Sequence, residues 1–186
     1  MRRLQPAQQH PNILAVVQRI HRRLDFRFPP FRFEDFLRVF SSYKVFETEM
    51  PLGLDGQIFL TPDGEQKTIY LRKDNPRTRV RFSLAHEIMH AELHFTQGQL
   101  QNLTACRTSE HHRDGRRSPL EREADLGAAA LLMPLWMLDR YLPYRIKREY
   151  PDPVVKEMAR LFRVSETAMR IQLKNYSAQS GEYPSP

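Results

Sequence analysis

Two histidines four residues apart, His86 and His90, constrain the fold of this chain more than any other feature of its sequence. They lie in the segment RFSLAHEIMHAELHF, where Glu87 directly follows the first histidine. Residues four apart lie on one face of an α-helix, about one turn apart, so a helix here brings the two imidazoles together. Because neutral imidazoles are common metal ligands, the segment predicts a helix that carries a metal site.

Glu87 differs from the histidines because it lies beside His86 and points to the side of the pair. It cannot easily coordinate the same ion, but it can reach a water that the ion holds. A metal ion lowers the pKa of such a water to roughly 7, and a carboxylate can take its proton. The pattern H-E-x-x-H is therefore typical of metal-assisted hydrolysis, with Glu87 as the general base. Two ordinary histidines on a helix are the alternative interpretation.

The surrounding sequence favours a helix. Asn75 is a good N-cap and Pro76 suits the first helical position, so we predict a helix from there to His94 or Phe95. Its core-facing stripe is Val80, Leu84, Ile88 and Leu93.

A catalytic zinc site needs a third protein ligand and one open position. His94 continues the spacing, but it lies roughly 12 Å from His86 along a straight helix, too far to share one ion. We therefore expect His94 to be structural or at the rim of the cleft. Glu121 and Asp125 are better candidates, because they share one face of a helix predicted over residues 119–133.

In this arrangement Glu121 coordinates the metal. Asp125 accepts the other ring N–H of His86 or His90 and so fixes its tautomer. Glu123 points to a different face and is expected in solvent, whereas the small residues 127–130 let the two helices pack closely. An ordinary acidic helix N-terminus is the alternative, since acids there favour the helix dipole.

The remaining elements are predicted from periodicity and turn residues. Helices are expected over 12–24, FEDFLRVFSSY, LWMLDRYL, 152–162 and ETAMRIQLKNY. The segments YKVFETEM, QIFLT and KTIYLRKD are rich in β-branched and aromatic residues and predict a small antiparallel sheet.

The long polar connection 96–119 contains Cys106, His111 and His112. These side chains could be alternative ligands or could polarise a substrate carbonyl, although solvated histidines are commoner in such loops. The candidates for stabilising an oxyanion are Tyr70, His94, His111 and His112.

Composition excludes several classes of protein. Hydrophobic residues make up 40% of the 186, enough for one compact core with a small helical appendage. No run approaches the roughly 18 apolar residues that span a bilayer, and the N-terminus lacks the pattern of a signal peptide. The single cysteine excludes an internal disulfide. We therefore expect a cytoplasmic protein without a membrane partner.

The net charge of +7 could attract an acidic protein or a nucleic acid, although a solvated basic surface is the simpler interpretation. The segment VKEMARLFRVSETAMRIQLKNY predicts a helix-turn-helix with its turn at 163–165. Its second helix offers DNA the side chains of Arg170, Gln172, Lys174 and Asn175. Apolar residues at core spacing indicate instead a unit that packs on the peptidase or grips a substrate, so DNA is the less favoured partner.

The segments RFSLAHEIMHAELH and LEREADLGAAALLMP resemble the ImmA/IrrE family of metallopeptidases. The run E-x-x-A-D ending in L-L-M-P is more specific than H-E-x-x-H alone. The resemblance implies a gluzincin-like site with His86, His90 and Glu121 as metal ligands and Glu87 as general base. It also implies a substrate, a helix-turn-helix transcriptional repressor whose cleavage relieves repression of stress-response or mobile-element genes.

We therefore predict an α+β fold, in which a small antiparallel sheet packs against the HExxH helix and a second ligand-bearing helix. A metallopeptidase domain should cover residues 1–140, a helix-turn-helix-like unit 141–176 and a disordered tail 177–186. The expected cofactor is Zn²⁺, with Mn²⁺ as an alternative. The rival function is a DNA-binding or toxin–antitoxin regulatory partner whose metal site is not catalytic.

Overall fold

The computed structural model describes residues 11–61, 63–95, 118–142 and 149–178, and its fold is α+β, as predicted. The helices and strands are α1 (Pro11–Arg23), α2 (Phe33–Val39), β1 (Tyr43–Thr48), β2 (Gly56–Leu60), β3 (Lys67–Arg72), α3 (Arg77–His90), a π-helical segment (Ala91–Phe95), α4 (Pro119–Leu132), α5 (Leu135–Tyr141), α6 (Asp152–Phe162) and α7 (Glu166–Ala178).

The chain divides into two compact units, residues 32–128 and residues 1–31 with 129–186. The predicted domains, 1–140 and 141–176, stay a prediction. The expectations for Cys106, His111, His112 and most of the tail fall outside the described residues. Among the residues described, no helix combines the length and hydrophobicity that a membrane crossing requires.

The sheet of the 32–128 unit has the strand order β1-β3-β2, with β3 in the centre. β2 and β3 form the expected antiparallel pair, in which Ile58 lies opposite Ile69. β1, however, runs parallel to β3, so the prediction of a wholly antiparallel sheet is wrong. Strand composition predicts that these segments pair but does not encode their order, and here β3 lies between β1 and β2.

Helix α3 packs on this sheet through contacts with β2 and β3. The predicted core stripe is buried at Val80, Leu84, Ile88 and Leu93. The helix begins at Arg77, after Pro76 as its N-cap, and its α-helical geometry ends at His90. From Ala91 to Phe95 the chain continues as a π-helix where an α-helix was predicted. π-helical turns are rare in proteins, and those that do occur are often found at functional sites.

The second unit, residues 1–31 with 129–186, has a helical core. The apolar face of α1 is buried at Ile13, Val17 and Ile20. The predicted helix-turn-helix is present as α6 and α7, with Arg163 between them at a φ of 54°. Ser165 caps α7 by accepting a hydrogen bond from the backbone N–H of Ala168 at 3.1 Å.

Candidate metal centre

Three side chains from α3 and α4 converge in the 32–128 unit. One ligand atom each from His86, His90 and Glu121 lies within 4.8 Å of the other two. The Nε2 atoms of His86 and His90 are 2.9 Å apart. The carboxylate of Glu121 lies 3.2 Å from each of them, through Oε2 to His86 and Oε1 to His90. We call these three residues the His–His–Glu cluster.

The cluster fits a divalent metal ion. Ligand atoms at roughly 2.0–2.2 Å from a tetrahedral ion are about 3.3 Å apart, close to the separations found here. Two imidazole nitrogens and a carboxylate oxygen are also the donor set of many catalytic zinc sites, which keep a fourth position open for water or substrate.

The charges of the cluster are strongly coupled. Burial alone would raise the pKa of Glu121, but hydrogen bonds from His86 and His90 outweigh burial and lower it to about 2. Burial lowers the pKa of His90 to about 4. Glu121 is therefore an anion and His90 is neutral near pH 7, which are the protonation states that metal ligands need.

His86 behaves differently from His90. Burial would lower its pKa, but hydrogen bonds to Asp125 and Glu121 outweigh burial and raise it to about 9. The Nδ1 atom of His86 lies 2.9 Å from Oδ1 of Asp125, so its N–H donates to that carboxylate. This is the contact that the sequence predicts for Asp125. A proton on the opposite nitrogen competes with a metal ion for the same lone pair.

Glu87 is fully buried and has no hydrogen-bond partner for either carboxylate oxygen among the described residues. Burial raises its pKa to about 8, with the charge of His86 opposing and that of Glu121 adding to the effect. Unpaired buried carboxylates are costly, so native structures rarely contain them without a functional reason. Glu87 is therefore a candidate for a reactive group, because its buried carboxyl group has no hydrogen-bond partner among the described residues.

Two glycines create the space in which these side chains meet. A Cβ atom on Gly56, at the start of β2, would lie 3.0 Å from Oε1 of Glu87. A Cβ atom on Gly127 would lie 2.8 Å from the side chain of Met89, so α4 lies directly against α3. The close packing predicted for the small residues 127–130 is thus present at Gly127.

The family model described as the IrrE N-terminal-like domain, peptidase M78, matches residues 42–174. The chain belongs to this family. The M78 match spans the sheet, both helices of the cluster, α6 and α7 as far as Lys174, and it makes the chain a metallopeptidase of the ImmA/IrrE type. The His–His–Glu cluster is the candidate site for its divalent metal. A search of curated proteins finds no match.

One contact beside the His–His–Glu cluster is not predicted from the sequence. Glu123, expected in solvent, is half-buried and lies 3.3 Å from Nε2 of His94 through Oε2. The Nδ1 atom of His94 lies 2.8 Å from Nδ1 of His90. His94 thus lies outside the His–His–Glu cluster but contacts His90, one of its members. No periodicity signal identifies this contact, because it depends on how α4 packs against the π-helical segment.

Two of the four candidates for stabilising an oxyanion, Tyr70 and His94, are among the described residues. Tyr70 stacks with Phe46 and packs edge-on against Phe59. Because side chains alternate along a strand, this places Tyr70 on the face of β3 opposite the buried Ile69 and Leu71. Both ring nitrogens of His94 are engaged by His90 and Glu123. His111 and His112 lie outside the described residues.

Proposed function

We propose that this chain is a zinc-dependent endopeptidase that cleaves a helix-turn-helix transcriptional repressor and thereby relieves repression of stress-response or mobile-element genes. The observation that carries the catalytic part is the position of Glu87. Its carboxylate is buried and unpaired among the described residues, and it directly follows the first histidine of a cluster suited to a divalent ion.

His86, His90 and Glu121 would hold the ion. When bound, zinc would supply a Lewis acid that polarises the scissile carbonyl and favours ionisation of water. Glu87 accepts the proton of the attacking water on a carboxylate oxygen. It then donates that proton to the nitrogen of the leaving amine, so it ends the cycle ionised. Its burial excludes competing water and makes the carboxylate a stronger base than an exposed one.

Zinc is proposed because its preferred ligands are imidazole nitrogens and carboxylate oxygens in a four-coordinate site. Manganese accepts the same atoms but favours more oxygen ligands. Metal analysis of protein purified without chelators, followed by reconstitution with each ion, distinguishes the two. Activity restored by Mn²⁺ and not by Zn²⁺ would overturn the zinc assignment and leave the ligand set intact.

The proposed substrate rests on membership of the M78 family. The resemblance of this chain to the ImmA/IrrE peptidases implies a repressor that is encoded nearby. The positive net charge of +7 favours association with an acidic partner surface. A transcriptional repressor acts in the cytoplasm. The single cysteine of this chain is compatible with the reducing conditions of that compartment.

The decisive experiment incubates the purified, metal-loaded protein with the repressor encoded beside its gene and follows cleavage by mass spectrometry. Glu87→Gln is the matched variant, because it keeps the shape of the side chain and removes its basicity. We expect cleavage by the wild type, no cleavage by Glu87→Gln and equal zinc content in both. Equal cleavage by the two proteins would contradict the proposed role of Glu87.

The rival function, DNA binding, receives less support from the residues of α7. Arg170 pairs with Asp152 at 2.7 Å and Lys174 pairs with Glu149 at 2.7 Å. Gln172 is buried and donates a hydrogen bond to the backbone carbonyl of Met133 at 2.8 Å. Polar side chains engaged within the chain are less available to base edges. Specific, salt-sensitive retardation of promoter DNA would favour the rival.

A further inference from the structure

His94 lies between a residue of the proposed metal site and a carboxylate on the neighbouring helix. His94 belongs to the π-helical segment and is only 1% exposed. One ring nitrogen, Nδ1, is 2.8 Å from Nδ1 of His90, and the other, Nε2, is 3.3 Å from Oε2 of Glu123. A buried imidazole with both nitrogens engaged is held in one orientation.

With an ion bound at the proposed site, the chemistry of the three groups would fix the direction of these hydrogen bonds. Nε2 of His90 faces Glu121 and Nε2 of His86, so this nitrogen must stay unprotonated to bind an ion. The proton of a neutral His90 is then on Nδ1 and is donated to His94. His94 accepts it on an unprotonated Nδ1, so its own proton is on Nε2 and is donated to the carboxylate of Glu123.

We infer that Glu123 and His94 act together as positioning residues for His90, as Asp125 does directly for His86. The inference rests on the proposed metal site. Each of the two histidines is linked by hydrogen bonds to a carboxylate on α4, His86 to Asp125 and His90 through His94 to Glu123. In each case the link holds the histidine in the tautomer that presents Nε2 to the ion. The two links differ in length. His86 contacts Asp125 directly at 2.9 Å, whereas the ring of His94 lies between His90 and Glu123.

Orientation of metal ligands by such outer contacts typically contributes about 10–100-fold to metal affinity. The neutral imidazole of His94 orients the ring of His90, but it also places the negative charge of Glu123 farther from the ion. The contribution of Glu123 should therefore be smaller than that of His94. The substitutions His94→Leu, His94→Asn and Glu123→Gln separate the two effects.

The test measures zinc affinity by competition with a chromophoric chelator, and records the visible spectrum of the Co²⁺-substituted protein as a report on ligand geometry. His94→Leu, which removes the acceptor, should weaken zinc binding about 10–100-fold and alter the cobalt spectrum. His94→Asn places an amide oxygen near the position of Nδ1 and should restore affinity to within a few-fold of the wild type. The variant Glu123→Gln should fold, because the side chain of Glu123 is partly exposed, and it should weaken zinc binding a few-fold.

Glu92→Gln is the matched control, because Glu92 lies on the same π-helical segment and is 7% exposed. Its carboxylate contacts Tyr43 and Lys67, not a ligand histidine. This variant should lower the thermal stability of the metal-free protein and leave zinc affinity and the cobalt spectrum unchanged. Equal losses of affinity in His94→Leu and Glu92→Gln would overturn the inference, since both would then reflect damage to the segment.

Glu121→Ala distinguishes failure of the inference from failure of the metal site itself. If Glu121→Ala weakens zinc binding strongly and the His94 and Glu123 variants do not, the positioning role is wrong and the ligand set stands. If Glu121→Ala has no effect, the ligand set is wrong and the positioning role falls with it. Should His94→Leu fail to fold, unchanged affinity and cobalt spectrum in Glu123→Gln overturn the inference alone.

Discussion

Two buried carboxylates five residues apart, Glu87 and Glu92, have opposite environments. Glu92 accepts a hydrogen bond from the hydroxyl of Tyr43 at 2.5 Å and pairs with Lys67 at 3.0 Å. Glu87 has no such partner among the described residues. The first carboxylate is held by the sheet and stabilises the fold. The second lacks a hydrogen-bond partner in the described part of the chain and lies beside the candidate metal site, so burial alone does not tell a structural carboxylate from a candidate catalytic one.

The sharpest test of this difference substitutes Glu87 by glutamine. Loss of general-base catalysis should reduce the rate of peptide cleavage by about 10²–10⁴-fold. The unfolding temperature of the metal-free protein should stay the same or rise, because a buried ionisable group with no hydrogen-bond partner among the described residues is replaced by an amide of the same size that does not ionise. Steady-state kinetics and thermal unfolding check the two parts. A large loss of stability would mean that Glu87 is structural, like Glu92.

A third buried ionisable group, His21, extends the comparison to the second unit. Burial lowers its pKa to about 4, while Nε2 donates to the backbone carbonyl of Leu131 at 2.9 Å. The folded state therefore favours neutral His21. The stability of the folded state is therefore unaffected by protonation of His21 above about pH 6.5, and it falls by about 3 kcal/mol as the pH is lowered from 6.5 to 4.

Urea unfolding of the metal-free protein at pH 7 and pH 4 measures this loss. His21→Gln is the control, because an amide nitrogen can still donate to Leu131 but does not titrate. The variant should lose less stability than the wild type between the two pH values. Identical pH dependence in both proteins would show that other groups account for the acid sensitivity.

Glu92→Gln should produce the reverse of the Glu87 result. The amide keeps part of the contact with Tyr43 but leaves Lys67 without its counter-ion, at a cost of about 1–3 kcal/mol. The rate of peptide cleavage by the metal-loaded protein at temperatures where it is folded should not change. Denaturant unfolding and a peptidase assay on the same preparation provide the check, and a cleavage rate that falls with stability intact would place Glu92 in the reaction.

The smallest effect is expected at Gly56. A methyl group there would lie 3.0 Å from Oε1 of Glu87, so Gly56→Ala should displace this carboxylate by a few tenths of an ångström. We expect about a tenfold loss of activity with unchanged zinc content, since misplacement of a reacting group is costly. In a Glu87→Gln background the same substitution should have little further effect. An equal loss in both backgrounds would mean that Gly56 acts elsewhere.

The parts of the site that sequence predicts are those set by local periodicity. His86 and His90, and Glu121 and Asp125, are paired by the spacing of one helical turn, and this spacing is visible in the chain. Neither the partner of Glu123 nor the role of Gly56 is visible there, because both depend on which elements meet in three dimensions. Gly56 lies in a segment, LGLDG, that predicts only a turn.

The fold was predictable to the same degree. Helix positions follow from apolar stripes, and the hairpin of β2 and β3 follows from the turn residues between them. The parallel pairing of β1 with β3 joins segments that are not neighbours in the sequence. The step of five residues from Ile88 to Leu93 in the core stripe does not by itself predict the change from α- to π-helix at Ala91. Tertiary packing decides both features.

A Cβ atom on Gly127 would lie 2.8 Å from the side chain of Met89, so the approach of α4 to α3 depends on two residues outside the His–His–Glu cluster. The preferred bond lengths of different divalent ions differ by only about 0.1–0.3 Å. Changes of side-chain size at positions 89 and 127 should therefore alter the spacing of the two helices enough to matter for such differences. We expect paired substitutions at these positions to change the relative affinity for different divalent ions while His86, His90 and Glu121 are kept.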